Sequence, residues 1–447
     1  MPLNDIGNNE SFAINDTDGN PVSVSGSIFV NLISSSLDLI GTQNNPSINS
    51  FQEYSLTPYK EHRISQPFAY LDFVNTYEIN DIDLETSITG SQTSVFHQPQ
   101  VSGIRLATSG TAPTAALMKT ITSFPYQAGK SMVHRNVVYV SGDSENQIKR
   151  WGVFDQENGL FFEQIGTQVS LVRRTSTSGT PVDIKTNQAS WNIDPMDGTG
   201  PSEQVLNLNY SNMYEIHWQW YGTGTVRWFI NATHIHTDSL FNVESAPYMG
   251  TSTLPINWEV RNTSGSPAGT LTVIGSSLFA ENGNKPPELN FSIVNSAFRS
   301  VASGETAILA IRPKNTFGSR ENKSIILPKR AAIATDGRGI RYRLYTRPTS
   351  LTGGTAWESV NERSTVEWSE GFTSFITGSQ TQLVFAGVLA ASQESVIVDI
   401  SEFFSFLNRK IRKRTFSGEQ EILFLTVQNL KGGSTDVESA FEWGEIK

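Results

Sequence analysis

The chain has 447 residues, 33 Lys+Arg against 43 Asp+Glu, and a formal net charge of -10. An acidic chain that is only 17% charged lacks the basic surface that phosphate-backbone binding needs, so no nucleic-acid partner is expected. Cysteine is absent, which removes disulfides, thiolate metal sites and cysteine nucleophiles together and leaves the redox compartment unreadable.

The first twenty residues, MPLNDIGNNESFAINDTDGN, lack a basic start followed by an apolar run, so no secretory signal is expected. SIFVNLISSSLDLIG is too short, and too interrupted by serines and Asp38, to cross a bilayer, and no membrane insertion is expected. Residues 1–61 are rich in Asn, Ser and Asp and read as an extended N-terminal arm with a strand or two. Within that arm, NDTDGN (15–20) places Asp16, Asp18 and Asn20 as in a calcium loop. Pro21 and Ser27 stand where the glycine and the bidentate glutamate belong, so it reads as a polar turn.

From 62 to 283 short alternating runs are separated by turn residues. YEIHWQW (214–220) puts Tyr214, Ile216, Trp218 and Trp220 on one face and Glu215, His217 and Gln219 on the other. YGTG then returns the chain into VRWFI (226–230), which predicts a hairpin. Six of the nine tryptophans lie in this block, and bulky aromatics at alternate strand positions predict a β-sandwich of jelly-roll or lectin-like type. In RWGVFDQENGLFFEQIG (150–166) the expected turn pairs Phe154 with Phe161 or, with a shorter loop, with Phe162, leaving Glu157 at a solvated tip.

AENGNKPPELN (280–290) reads as a linker. Beyond it, 284–447 is predicted to be a second β-rich sandwich domain, with strands in TAILAIR, GIRYRLY, SVIVDI and EILFLTV; the last is apolar at nearly every position, as for a strand covered on both faces. SEFFSFLNRKIRKR (401–414) spaces Phe403, Phe404, Phe406, Leu407 and Ile411 for a short helix capped by Ser401. The fold expected is therefore mainly β: two sandwiches, an extended N-terminal arm and one C-terminal helix.

Candidate chemistry is sparse. Asp155 and Glu157 lie two apart, at a spacing compatible with a glycosidase pair, but they straddle a turn entry. Asp194 and Asp197 in DPMDGTGP can offer oxygens to a hard cation, or simply shape a turn. His234 and His236, two apart on a strand, are expected to point the same way and can offer imidazoles to a transition metal. No metal or cofactor is expected to be required. Trp191 and Trp220 are candidate ligand contacts, within a set that includes Trp151, Trp218 and Trp228. Lys410, Arg412, Lys413 and Arg414 form the one dense basic run, which either complements the end of the expected helix or docks on an acidic neighbour.

The ordered motifs RWGVFDQENGLFFE (150–163), LVRR (171–174), ASWNIDPMDGTGPS (189–202), EIHWQWYGTGTVRWF, LPINWEVRN (254–262), ILAIRPKNTF (308–317), LTGGTAWESV (351–360) and FEWGEIK (441–447) resemble those of a group of phage virion structural proteins, over residues 62–447. The resemblance implies a component of the tail, fibre, baseplate or capsid vertex, located in the virion. It would contact other virion proteins, assemble as a homo-oligomer and carry no catalytic residues, so that the chain is expected not to be an enzyme. The alternative expectations are an adhesin module binding a host-surface glycan through exposed tryptophans and, after that, a polysaccharide depolymerase using the Asp155/Glu157 region.

Overall fold

The structure is a computed structural model that describes residues 67–447 apart from 142–144, 244–245, 266–267 and 282–284. The expected N-terminal arm lies outside the described residues. Within them every strand pairing is antiparallel, the helical content is confined to three-residue 3-10 turns, and no helix is long and apolar enough to cross a membrane.

Strands between Phe68 and Ala280 build the first sandwich. Its seven-stranded sheet runs in the order Val182–Asn187, Gln168–Thr175, Gly159–Ile165, Gln147–Phe154, Ile256–Asn262, Thr114–Thr120, Leu84–Thr89. The facing eight-stranded sheet runs Thr233–Ser239, Thr225–Ile230, Asn212–Trp218, Met132–Ser141, Thr270–Ala280, Gly103–Ala107, Ser94–Gln98, with Phe68–Val74 also on Thr270–Ala280. Successive side chains on a strand point to opposite faces, and this decides what fills the gap between the sheets. Trp151 and Phe162 from one sheet stack at 6.0 Å, Tyr214 from the other meets both rings edge-on at 4.9 Å, and Trp228 closes on Phe162 at 5.3 Å. The expected hairpin is present, with Trp218 opposite Val226 and Tyr214 opposite Ile230. Its outward-facing Glu215 and His217 are also buried.

The second sandwich faces a five-stranded sheet (Leu289–Val294, Thr435–Ile446, Ile325–Thr335, Ser395–Asp399, with Arg299–Val301 beside Thr435–Ile446) against a six-stranded one. The latter runs Glu358–Ser359, Val366–Glu370, Thr306–Pro313, Leu423–Asn429, Ile340–Thr346, Gln382–Leu389. Leu423–Asn429 is covered on both faces. Leu423, Leu425 and Val427 join the core between the sheets, and Phe424 packs outside with Ala307, Ala310 and Phe372.

Two local expectations are corrected. The expected helix at 401–414 is a single 3-10 turn, Ser401–Phe403, followed by extended chain in which Ile326 bridges Ile411 and Lys413 bridges Gln420. Helical spacing in this segment is overridden by a two-residue alternation. Lys410, Arg412 and Arg414 face carboxylates of the first sandwich, and Ile411 enters the second core. At the 150–166 hairpin Phe154 pairs with Gly159, Val153 with Leu160 and Gly152 with Phe161, so neither expected register occurs. The loop is Asp155–Asn158: Asp155 Oδ1 accepts from the amides of Glu157 and Asn158 at 2.9 and 2.8 Å and thereby shifts the turn towards the N-terminus.

Gly152 sits where the Phe161 strand passes close by. A Cβ there would lie 2.6 Å from Phe161 Cα and 2.7 Å from its Cβ. Gly152→Ala is therefore expected to lower the unfolding free energy by about 1–3 kcal/mol, as for overpacked cores; an unchanged urea midpoint would contradict the packing described.

Candidate functional site

The inner face of Gln147–Phe154 carries Trp151 and Val153, so alternation sends Arg150, Gly152 and Phe154 to the outer face of the seven-stranded sheet. Strand pairing then lines up a polar row across five neighbouring strands: Asn187, Ser170, Glu163, Arg150, Glu259. Arg150 is shared by the two carboxylates, with Nε donating to Glu163 Oε2 at 2.7 Å and Nη1 to Glu259 Oε1 at 2.9 Å. Lys185 donates to the other oxygen of Glu163 at 2.5 Å, Arg261 to the other oxygen of Glu259 at 3.0 Å, and Ser170 Oγ to Asn187 at 2.9 Å. Burial pulls the Arg150 guanidinium down, but Glu259 and Glu163 outweigh it, so its pKa lies above the ordinary value.

One step along the strands, the missing side chain at Gly152 leaves room for Phe161, whose ring lies 5.5 Å from the Arg150 guanidinium and 5.1 Å from that of Arg174. Arg174 makes a two-point pair with Asp183, at 2.7 and 2.9 Å. Burial raises the Asp183 carboxyl, yet Arg174 more than offsets this and holds it below the usual value. The carboxylates of Glu163 and Glu259 form a buried floor. The rim is cationic and open, since the Lys185 and Arg261 side chains are 38% and 43% exposed.

The second sandwich walls one side of this face. Phe416 lies over the Lys119 ammonium at 4.3 Å, and the amides of Phe416 and Ser417 donate to Glu85 at 2.9 and 3.2 Å. The basic run makes the junction. Lys410 and Arg412 pair with Asp83 at 3.2 and 3.3 Å, Arg414 pairs with Glu85 at 3.4 Å, and Lys413 pairs with Glu321 at 3.0 Å. Lys323 reaches Asp155 at 2.9 Å, and Phe406 packs edge-on against Tyr70 at 5.0 Å. The acidic neighbour of the basic run is thus within the same chain.

The remaining sequence candidates are dispersed. A bulge between Trp228 and Phe229 sets His236 opposite Trp228 and His234 opposite Phe229, so the two rings do not point the same way. His234 stacks on Phe229 at 4.6 Å, while His236 Nδ1 accepts from the Asn192 amide at 3.1 Å and its Nε2 faces Asp238 at 3.3 Å. Asp194 is buried and accepts from the amides of Met196 and Ser202 at 2.8 and 2.7 Å; Asp197 accepts from Thr199. Both carboxylates organise the 194–202 loop. Among the described residues no group of three His, Asp or Glu converges as a metal site.

Trp151, Trp191, Trp218 and Trp228 are buried. Trp220 alone of the tryptophans proposed to meet a sugar is half-buried; it lies beside Tyr126 and Tyr221, with Nε1 donating to Met249 O at 3.0 Å. Asp155 is used by its turn and by Lys323, and Glu157 is exposed at the tip. The Arg150 row was not singled out in the sequence. The available signal was a charge directly beside a core tryptophan on each of two strands, Arg150-Trp151 and Trp258-Glu259.

No family model and no curated protein matches the chain. Solved structures similar to it include an endo-1,3-β-glucanase from Streptomyces sioyaensis (11% identity, 49% of this chain and 97% of that one, TM-score 0.35). Others are an endo-β-1,4-glucuronan lyase from the fungus Trichoderma reesei (10%, 46% and 94%, 0.34) and a carbohydrate esterase from the Shiga toxin-encoding bacteriophage phi24B (9%, 49% and 100%, 0.31). No residue role is carried across from them. The expectation that the chain is not an enzyme is corrected: the solved structures similar to it are mostly glycan-cleaving enzymes.

Burial, followed by the charge of Arg412, pushes the Lys410 ammonium down to about 8 against the pull of Asp83. The unfolded chain, with a lysine pKa of roughly 10.4, then binds more protons than the folded one between those values, so stability rises with pH there. Wild type is expected to gain unfolding free energy from pH ~8 to ~10 relative to Lys410→Met, which lacks this increment. Parallel pH dependences in chemical denaturation would contradict it.

Proposed function

We propose that the chain is a component of a bacteriophage particle whose first sandwich binds a glycan on the outer face of its seven-stranded sheet. The observation that carries the glycan reading is the Glu163–Arg150–Glu259 row. Sugar hydroxyls are recognised by fixed planar donors and acceptors, and carboxylate, guanidinium, amide and hydroxyl groups follow one another along the row, held by mutual ion pairs and hydrogen bonds on the sheet. Arg150, Arg174, Lys185 and Arg261 stand against Glu163, Glu259 and Asp183. This excess of one cation favours a glycan that carries carboxylates. The particle reading is supported by the motif series from 150 to 447, which resembles phage virion proteins.

Lys185→Met with Arg261→Met removes the exposed rim and leaves Arg150 with both carboxylates. The double variant is expected to weaken binding to a panel of acidic oligosaccharides by about tenfold or more, equivalent to about 1.4 kcal/mol, while keeping a cooperative unfolding transition and a wild-type circular dichroism spectrum. Wild-type affinity in the double variant, or no binding by wild type to any glycan in the panel, would overturn the glycan reading. Absence of the chain from purified particles by mass spectrometry would overturn the virion reading.

A further inference from the structure

Among the described residues the second sandwich is open along one side. Gln382–Leu389 is the outermost strand of its six-stranded sheet and Ser395–Asp399 that of its five-stranded sheet. The five residues between them, 390–394, keep both edges on the same side. Val384, Phe385, Val396 and Val398 pack against the core between the sheets yet are only half-buried, because among the described residues no further strand covers them. Val388 and Ile397, on the outer faces of the same strands, are 62% and 71% exposed.

Edge strands of monomers are ordinarily blunted by charge or proline. Three edge strands of the first sandwich follow that rule, carrying Asp183 with Lys185, Glu85, and Asp238. QLVFAGVL (382–389) has no charge and no proline, and SVIVD (395–399) has one charge, at its last position. The opposite side of the second sandwich differs. There Leu289–Val294 is uncharged, but the facing sheet ends in the two-residue strand Glu358–Ser359, so only one full-length edge is offered.

We propose that the paired edges Gln382–Leu389 and Ser395–Asp399 join the same two edges of a second copy of this chain, extending both sheets across a two-fold axis. An occupant of this side must supply two strands at once, separated by the roughly 10 Å between packed sheets, and apolar at both. A single extended peptide serves one sheet only, whereas a second copy supplies both. One two-fold axis normal to the sheets makes both pairings antiparallel together. Centred on Ile397, the pairing sets Val396 against Val398 of the second copy and Asp399 against Ser395 of the second copy, so no like charges face each other. The half-buried core residues are then covered by their counterparts. This interface does not depend on glycan binding, and the two can fail separately.

The test is the mass in solution of the full chain by sedimentation or light scattering, across a micromolar dilution series. Wild type is expected to be a dimer. Ile397→Lys sets two ammonium groups opposite each other at the axis and is expected to give a folded monomer, with a wild-type far-UV circular dichroism spectrum. Val388→Lys, on the other edge, is expected to do the same and serves if the first variant folds poorly. Val294→Lys, on the opposite side, is expected to remain a dimer. A monomeric wild type, or a dimer that persists in both edge variants, overturns the proposal.

Discussion

The outer face of the first sandwich depends on one guanidinium. Glu163 and Glu259 are almost fully buried, and a buried carboxylate without a cation is strongly destabilising, so Arg150 between them is what permits the row to exist. Its position follows from the strand that carries it. Gln147–Phe154 lies at the centre of the seven-stranded sheet, and Trp151, fixed among Phe162 and Tyr214 on the inner face, turns Arg150 outward. Gly152 then leaves space for Phe161, on which the Arg150 and Arg174 guanidinium groups rest. The aromatic core and the polar face are two sides of one alternation. A change to either shifts both.

Charge also joins the two sandwiches, in a different manner. Asp83 and Glu85, at the start of an outer strand of the first sandwich, receive Lys410, Arg412 and Arg414 from the second, and Lys323 reaches the Asp155 turn. Removing one partner of such a pair leaves a buried charge unmatched, so the junction specifies one arrangement more than it adds stability. Phe406 supplies the apolar part by packing on Phe68 and Tyr70. The same junction brings Phe416 beside Lys119 and so gives the sheet face a wall that the first sandwich alone would lack.

Much of the fold could be read from side-chain alternation. The Tyr214–Ile230 hairpin, the mainly β architecture and the doubly covered Leu423 strand all follow from which positions are apolar. The errors arose where a local pattern met a distant partner. The apolar residues of 401–414 fit a helix, but Asp83 and Glu85, more than 300 positions earlier, select an extended chain. Asp155 captures two turn amides and moves the Phe154 register by two residues, and one bulge separates the His234 and His236 rings. The Arg150 row was illegible for a related reason. Its carboxylates come from strands 13 positions later and 109 positions later, and only strand order makes them neighbours.

A structure of the chain with a bound acidic oligosaccharide tests the account most directly. The account predicts sugar over the outer face of the seven-stranded sheet, with hydroxyl or carboxylate groups within hydrogen-bond distance of Arg150, Lys185 or Arg261. Sugar bound only against Trp220 and Tyr221 at the sandwich end, with the Arg150 row untouched, would contradict it.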